Sequence, residues 1–137
     1  MPTVIVDAGP LVAYLNKDDQ DHAWAAARFR ELRGPLLTCE AALSEAIFLL
    51  AGTHGGVGKL PALLERGLVV PAFDLHAELP AIATLLRKYA DVPMALADAC
   101  LVRMAELHSD PVVFTVDSDF RTYRKNRRQV IPLIAPD

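Results

Sequence analysis

Short apolar runs alternate with helix-like segments along the whole chain, and this alternation constrains the fold more than any other feature. The runs have the length of buried strands and fall at TVIV (3–6), PLLTC (35–39), LVVPAF (68–73), PVVFTV (111–116) and QVIPLI (129–134). Strands that alternate with helices form parallel sheets covered on both faces. The sequence therefore predicts an α/β fold: a three-layer α/β/α arrangement with a central, mostly parallel sheet of four to five strands.

The segments between these runs carry helix signals. Pro10 suits the first position of a helix, so residues 11–16 are predicted to start one. Residues 18–32 open with acids and close with arginines, a polarity that complements a helix dipole. Further helices are predicted over 40–52, in the second half of 54–67, over 75–90 as one helix or two joined at Pro80, and over 95–108. Residues 118–128 are predicted to be a short basic helix or a loop.

Composition limits the class of protein. The length suits one core, so residues 1–137 are predicted to form a single domain. A net charge of −3 excludes a basic nucleic-acid coat, so a polyanion would have to meet a local basic patch. Cys39 and Cys100 fit buried thiols better than a disulfide framework or a zinc site. With no signal segment, and no apolar run near the ~18 residues of a membrane span, we expect a soluble, cytoplasmic protein without a membrane partner.

Two acidic positions directly follow predicted strands. Asp7 follows the run at 3–6, and Asp117 follows the run at 111–116, with Asp119 two residues further on. Ligands of parallel α/β sheets bind beyond the carboxyl ends of the strands. We therefore expect Asp7 and Asp117 to face one cleft.

Two more acids lie on predicted helices among apolar neighbours. Residues three and four positions away share a helix face. The neighbours of Glu45 on its face are Ala41, Ala42, Phe48 and Leu49. The neighbours of Asp98 are Met94, Ala95, Leu101 and Val102. A buried ionised carboxylate costs several kcal/mol unless it is paired. Neither set contains Lys or Arg, so we expect Glu45 and Asp98 to be buried and to find their partner elsewhere in the fold.

Four carboxylates brought together repel one another, and a hard divalent cation relieves that repulsion. Mg²⁺ and Mn²⁺ prefer oxygen ligands, and such an ion can activate water and neutralise charge on a phosphoryl oxygen. No Ser-His arrangement suited to acyl transfer is evident. The acids therefore indicate metal-dependent hydrolysis of a phosphate ester.

Each acid also has a structural alternative. Asp7 can simply cap the helix that follows it, and Glu45 or Asp98 can take part in a structural salt bridge. Asp117 and Asp119 can act as a capping pair for the segment that follows them. The sequence by itself leaves these alternatives open.

Four segments in series resemble the PIN-domain nucleases, and more narrowly the VapC-like toxins: VIVDAGPLVAYLN, ALSEAIFLL, MALADACLVRMAE and VFTVDSDF. The order and spacing of these segments match the four acidic blocks of that family. Carried over by position, the resemblance implies that the catalytic, metal-binding acids are Asp7, Glu45, Asp98 and Asp117. Asp119 matches a fifth metal-binding acid of many members. Thr115 matches a small hydroxyl residue before the last acid and is a candidate to bind substrate.

The resemblance also implies an activity and partners. It implies Mg²⁺- or Mn²⁺-dependent cleavage of RNA, usually by a homodimer, and a VapB-like antitoxin whose tail occupies the cleft. The chain departs from the common pattern at Ala8, where many members have Ser or Thr. That change removes one hydroxyl contact to the water around the metal.

A basic run, RTYRKNRR (121–128), follows the last acidic block. Arg121 and Arg124 are candidates to steer RNA phosphates into the cleft, and Tyr123 is a candidate to stack on a base. The alternative is a solvated cationic end of the domain.

The sequence offers four other interpretations of function. GTHGGVGK (52–59) is not a phosphate-binding loop, because Thr53 and Leu60 stand where that motif needs Gly and Ser or Thr; this turn has no assigned role. A haloacid-dehalogenase-type phosphatase would use Asp117 as nucleophile and Asp119 as acid, but its D-x-D pattern normally follows the first strand. A PIN nuclease of RNA processing that is not a toxin, and a non-catalytic PIN-like module that binds RNA or protein, remain alternatives.

Overall fold

The strand order places the first and fourth main strands side by side at the centre of the sheet. The computed structural model describes residues 2–137, and its strands are β1 (Thr3–Val6), β2 (Leu36–Thr38), β3 (Val69–Pro71), β4 (Pro111–Phe114), β5 (Arg124–Lys125), β6 (Gln129–Val130) and β7 (Leu133–Ile134). Five of them form a sheet in the order β3–β2–β1–β4–β7, and every pairing in it is parallel. Strands β5 and β6 form a separate antiparallel hairpin.

Helices cover both faces of this sheet. They are α1 (Ala8–Leu15), α2 (His22–Glu31), α3 (Glu40–Ala51), α4 (Leu60–Glu65), α5 (Leu79–Lys88) and α6 (Leu96–Leu107), with a 3₁₀ helix over Ser118–Arg121. The predicted α/β fold, with helices on both sides of a mostly parallel sheet of four to five strands, is confirmed. Within residues 2–137, no helix combines the length and the apolar character that crossing a membrane requires.

Strand β1 separates two apolar cores. Ile5 packs into the core formed with α5 and α6, whereas Val4 and Val6 pack into the core formed with α1 and α3. Side chains alternate between the faces of a strand, and a central strand is covered on both, which explains its continuous apolar run. Cys39 and Cys100 are buried in the first core without a disulfide, as predicted.

Two helix starts differ from the prediction because of the residues at their first turns. Helix α1 begins before Pro10, since Asp7 acts as its N-cap and accepts a hydrogen bond from the N–H of Ala8. Helix α5 begins at Leu79 with Pro80 in its first turn, where a backbone N–H would have no acceptor within the helix. The segment 75–90 therefore holds one helix, not two.

Helix α2 starts at His22, four residues later than the start predicted for the segment 18–32. Asn16 accepts a hydrogen bond from the N–H of Asp18, and Asp19 accepts one from the N–H of Asp21. Short polar side chains that bond to nearby N–H groups hold turns in place of helix. The first acids of 18–32 therefore build a turn before the helix.

The predicted fifth strand, QVIPLI, is divided between two structures. Gln129 and Val130 pair with β5 in the hairpin, and only Leu133 and Ile134 pair with β4. Between them Pro132 has no N–H to donate, although its carbonyl accepts from Val113. The basic run before it is the 3₁₀ helix and hairpin rather than one helix or loop.

Helix α1 approaches the end of β4 very closely at Gly9. A Cβ on Gly9 would overlap the side chain of Val116, so no larger residue fits without movement. Gly9 lies two residues after Asp7, and Val116 lies directly before Asp117. This approach therefore helps to set how near the two acids lie to each other.

Replacing Gly9 with Ala should destabilise the protein by about 1–3 kcal/mol, because the added methyl group overpacks against Val116. Urea denaturation would measure this loss in the free energy of unfolding. The matched control is Gly55→Ala, whose Cβ meets nothing within 4 Å. A Gly9→Ala/Val116→Ala double variant should recover part of the loss; a Gly9→Ala protein as stable as the original would contradict the close packing.

Candidate metal centre

The sheet itself brings Asp7 and Asp117 to one edge. Strands β1 and β4 are neighbours with Val6 opposite Phe114, and the N–H of Asp7 donates to the carbonyl of Phe114 at 2.9 Å. Asp7 and Asp117 therefore leave adjacent parallel strands at their carboxyl ends, where such sheets bind ligands.

Helix α6 adds the third acid. Asp98 lies in its first turn, where Oδ2 accepts a hydrogen bond from the N–H of Ala95 at 3.0 Å. One carboxylate oxygen from each of Asp7, Asp98 and Asp117 lies within 4.8 Å of the others. Three acids that are far apart in the sequence thus form one group, which we call the acid cluster.

Thr115 joins two members of the acid cluster. Its hydroxyl donates to Oδ2 of Asp7 at 2.9 Å and accepts from the N–H of Asp117, also at 2.9 Å. The Thr115 side chain is completely buried. A hydroxyl used both as donor and as acceptor holds the two acids in fixed relative positions.

Asp7 is the most buried acid of the cluster, with only 6% of its surface exposed. The pKa of its carboxyl is raised to about 6. Burial and, to a smaller extent, the charges of Asp98 and Glu45 raise this pKa, whereas hydrogen bonds from Thr115 and Ala8 lower it. The helix-cap alternative for Asp7 is thus real, but the residue also belongs to the cluster. One oxygen caps α1, and the other bonds to Thr115.

Asp98 is half-buried, and the phenol of Tyr123 lies next to its carboxylate. Burial raises the pKa of the Asp98 carboxyl, and the nearby charges of Asp117 and Glu45 raise it further. The hydroxyl of Tyr123 lies 3.4 Å from Oδ2 of Asp98. Burial and the neighbouring negative charges raise the pKa of Tyr123 as well, which keeps the phenol protonated as a donor.

The carboxylates of the cluster are not neutralised by basic side chains. Within residues 2–137, the basic residues in ion pairs are Arg28 and Arg103, and their partners are Glu31, Glu78 and Glu106. In the same range no hydrogen bond reaches Oδ1 of Asp98 or Oδ2 of Asp117. Oxygen ligands with open lone pairs and unbalanced negative charge are the donor set that Mg²⁺ and Mn²⁺ prefer.

Glu45 does not lie where its neighbours predicted. Its side chain is exposed, as are Phe48 and Leu49 one turn later on the same face, whereas Ala42 one turn earlier is buried. Helical spacing identifies an apolar face but does not say whether anything covers it. Glu45 is not one of the three acids within 4.8 Å, yet its charge is near enough to raise the pKa values of Asp7 and Asp98.

Asp119 and the two arginines lie outside the acid cluster. Asp119 is exposed, and its N–H donates to Oδ1 of Asp117. The capping alternative therefore holds for Asp117, which is the N-cap of the 3₁₀ helix, and not for the side chain of Asp119. Arg121 donates to the carbonyl of Pro136, and one nitrogen of Arg124 lies near three backbone carbonyls, those of residues 121–123. Each guanidinium group therefore has one nitrogen bonded within the chain, and the role of Arg121 and Arg124 in holding RNA stays a prediction.

Tyr123 is not exposed as its place in a basic run predicted. It is completely buried and packs against Tyr89 and Phe120, so the prediction that it stacks on a base is wrong. Its contact with Asp98 was missed. The spacing of three between Phe120 and Tyr123 was the available signal, because a helical turn places both on one side.

Comparison with known proteins identifies the family. The chain belongs to the PIN domain family, whose sequence model matches residues 4–126. The ribonuclease VapC26 of Mycobacterium tuberculosis (strain ATCC 25618 / H37Rv) is 28% identical over 137 residues, covering 94% of this chain and 100% of the relative. The crystal structure of Mycobacterium tuberculosis VapC20, described as a Sarcin-Ricin loop cleaving toxin, matches with a TM-score of 0.73 at 21% identity, covering 88% of this chain and 94% of that one. The resemblance to PIN domains is confirmed. The phosphatase alternative is not supported, because it requires a different family.

The burial of Asp7 predicts how the metal-free protein responds to pH. Its pKa is about 6 in the folded state, above the ordinary value of 3.8 for an aspartate, so the folded state binds more protons than the unfolded state between these pH values. The free energy of unfolding should therefore fall as pH rises from about 4 to about 6, by about 3 kcal/mol from this group at most. Asp7→Asn should lack this part of the fall, whereas Asp110→Asn, at the other end of β4, should keep it. Urea denaturation in EDTA at each pH measures the difference, and identical profiles for Asp7→Asn and the original protein would contradict the burial.

Proposed function

We propose that this chain is a metal-dependent endoribonuclease that hydrolyses RNA phosphodiester bonds, and that it is the toxin of a VapBC-like toxin–antitoxin pair. The observation that carries the proposal is the convergence of Asp7, Asp98 and Asp117 at the carboxyl edge of the sheet. The names of two similar proteins support it, since one is a ribonuclease and the other a toxin that cleaves the Sarcin-Ricin loop. An RNA substrate and two unlinked thiols favour action in the cytoplasm.

The proposed cofactor is Mg²⁺ or Mn²⁺. Asp7, Asp98 and Asp117 would hold the ion, and Glu45 and Asp119, which lie outside that group, would act through intervening water. When bound, such an ion supplies a nucleophile at neutral pH and neutralises negative charge on a phosphoryl oxygen. Asp7, Glu45, Asp98 and Asp117 are the proposed catalytic acids.

The chain contributes a pre-arranged set of carboxylates. Thr115 orients Asp7 and Asp117, while the N–H of Ala95 and the hydroxyl of Tyr123 hold one oxygen of Asp98. The remaining oxygens of Asp98 and Asp117 are left open for a ligand. Because Thr115 is buried, we propose that it positions the acids rather than contacting substrate as the sequence analysis suggested.

The proposed partners are a second copy of the chain and an antitoxin. Three consecutive apolar residues of α3 are exposed, Ile47, Phe48 and Leu49, with Phe48 at 78%. Exposed apolar patches on soluble proteins mark interaction sites, and we assign this one to a homodimer interface. A VapB-like antitoxin would inhibit by covering the acid cluster, as the VapC-like resemblance implies.

Asp98→Asn and Asp117→Asn should each lower RNA cleavage by on the order of 100-fold or more, because each removes a charged metal ligand. A denaturing gel with end-labelled RNA, with Mg²⁺, with Mn²⁺ and with EDTA, would measure the rates. Asp110→Asn is the matched control, since it changes an exposed acid at the opposite end of the same strand.

Two outcomes would overturn the proposal. One is a folded Asp98→Asn protein that cuts RNA at the original rate. The other is an original protein that neither cleaves RNA nor binds Mn²⁺ by calorimetry, which would favour the non-catalytic alternative.

Thr115→Val should lower the cleavage rate roughly 10- to 100-fold while Thr115→Ser retains most of it, because only the serine keeps the hydroxyl between Asp7 and Asp117. Affinity for Mn²⁺ should fall in Thr115→Val, whereas affinity for RNA in EDTA should not change. An Mn²⁺ affinity equal to that of the original protein would contradict the positioning role.

A further inference from the structure

Basic side chains are concentrated in two segments that contact each other, the end of α5 and residues 121–128. Residues 121–128 and the end of α5 contain seven of the chain's 14 Lys and Arg residues: Arg87, Lys88, Arg121, Arg124, Lys125, Arg127 and Arg128. Residues 121–128 contain no acid. In a chain of net charge −3, this is a local positive surface, and it includes the hairpin of β5 and β6, residues 124–130, which we call the basic hairpin.

The basic hairpin is held rigidly against the helices. The N–H of Asn126 donates to Oε2 of Glu106 at 2.6 Å, and Nζ of Lys88 donates to the carbonyl of Arg127 at 2.6 Å. Asn126 and Arg127 have φ of 47° and 74°, a backbone region that is uncommon for residues other than glycine. Positive φ values are usual at the turn of a tight hairpin, and the two contacts from α5 and α6 fix the position of this turn.

Two kinds of basic residue lie in this region. Arg121 and Arg124 bond to backbone carbonyls and so support the fold. Lys125, Arg127 and Arg128 form no side-chain hydrogen bond or ion pair with any part of residues 2–137, and Arg127 and Arg128 are exposed. The second group is therefore available to an external anion.

The basic hairpin lies close to the acid cluster along the chain. Tyr123 directly precedes it and reaches Asp98 with its hydroxyl. Arg127 is four residues further on, so its backbone is at most roughly 13 Å from that of Tyr123 at about 3.3 Å per residue. Asn126 contacts Glu106, which lies eight residues, or about 12 Å, along α6 from Asp98. A nucleic-acid duplex rises by that distance in about four base pairs.

We propose that the basic hairpin binds the phosphate backbone of structured RNA a few nucleotides from the bond that is cut, through Lys125, Arg127 and Arg128. The inference rests on the proposed ribonuclease function and extends it to how substrate is held. The basic hairpin presents three cations against one exposed apolar side chain, Val130. That balance fits a polyanion better than a protein partner, because the centre of a protein interface is depleted in charge. Backbone binding of this kind is independent of sequence, so other contacts would select the cleavage site.

The test compares Arg127→Gln/Arg128→Gln with Arg33→Gln/Arg66→Gln, a control that removes the same charge from exposed positions before β2 and β3, at the opposite edge of the sheet. Binding of a fluorescein-labelled stem–loop RNA is measured in EDTA by anisotropy at several salt concentrations. The hairpin variant should bind on the order of 10-fold more weakly, with the slope of log K against log salt reduced by about 2. Arg127→Lys/Arg128→Lys should keep the original slope.

Cleavage of a two-nucleotide RNA separates this inference from the proposed function. The hairpin variant should cut it at the original rate, because so short a substrate does not reach the basic hairpin. Equal RNA affinity and equal slope in the hairpin and control variants would overturn the inference while leaving ribonuclease activity intact. Loss of poly-glutamate binding with RNA binding retained would also overturn it, and would identify an acidic protein segment as the partner.

Discussion

Mutual repulsion among three crowded carboxylates is the constraint on which the rest of this structure depends. Asp7, Asp98 and Asp117 bring oxygens within 4.8 Å of one another, and the ion pairs formed within residues 2–137 do not involve them. Burial and the neighbouring charges together raise the pKa values of Asp7 and Asp98. The fold tolerates this arrangement because hydrogen bonds from Thr115 and from the N–H groups of Ala8 and Ala95 reach these carboxylates.

The same features that build the fold also build the site. Parallel pairing of β1 with β4 puts Asp7 next to Thr115, and Gly9 lets α1 approach Val116. Asp7 caps α1 with one oxygen and takes part in the acid cluster with the other, so helix formation and acid placement are coupled. A change that disturbs the start of α1 would therefore disturb the site, even without altering an acid.

Much of the fold could be predicted from sequence because it depends on local pattern. Apolar runs such as TVIV indicated strands, and acids that follow strands indicated a cleft at the carboxyl ends. The proximity of Asp7 and Asp117 could be predicted because both follow parallel strands. Asp98 could be added to the site because an ionised acid on an apolar helix face needs a partner. These inferences needed only the periodicity of helices and the parallel order of strands.

The features that could not be predicted depend on which surfaces of the folded chain are covered. The spacing of apolar and polar residues does not contain that information. Glu45 has apolar neighbours just as Asp98 does, but Phe48 beside it is uncovered, so the acid is exposed. Tyr123 lies in a basic run yet is buried, because the chain turns inward at the 3₁₀ helix. Arg124 is charged and near the site, yet it bonds to backbone carbonyls that only the folded hairpin brings to it.

The central claim is that a divalent cation makes the crowding of the three acids favourable. Crystals of the protein soaked in Mn²⁺, with diffraction recorded at the manganese absorption edge, test it most directly. The account predicts an anomalous peak within bonding distance of Asp7, Asp98 and Asp117, and no peak there in Asp98→Asn crystals. Manganese bound only elsewhere, with these three carboxylates still together and without an ion, would contradict it.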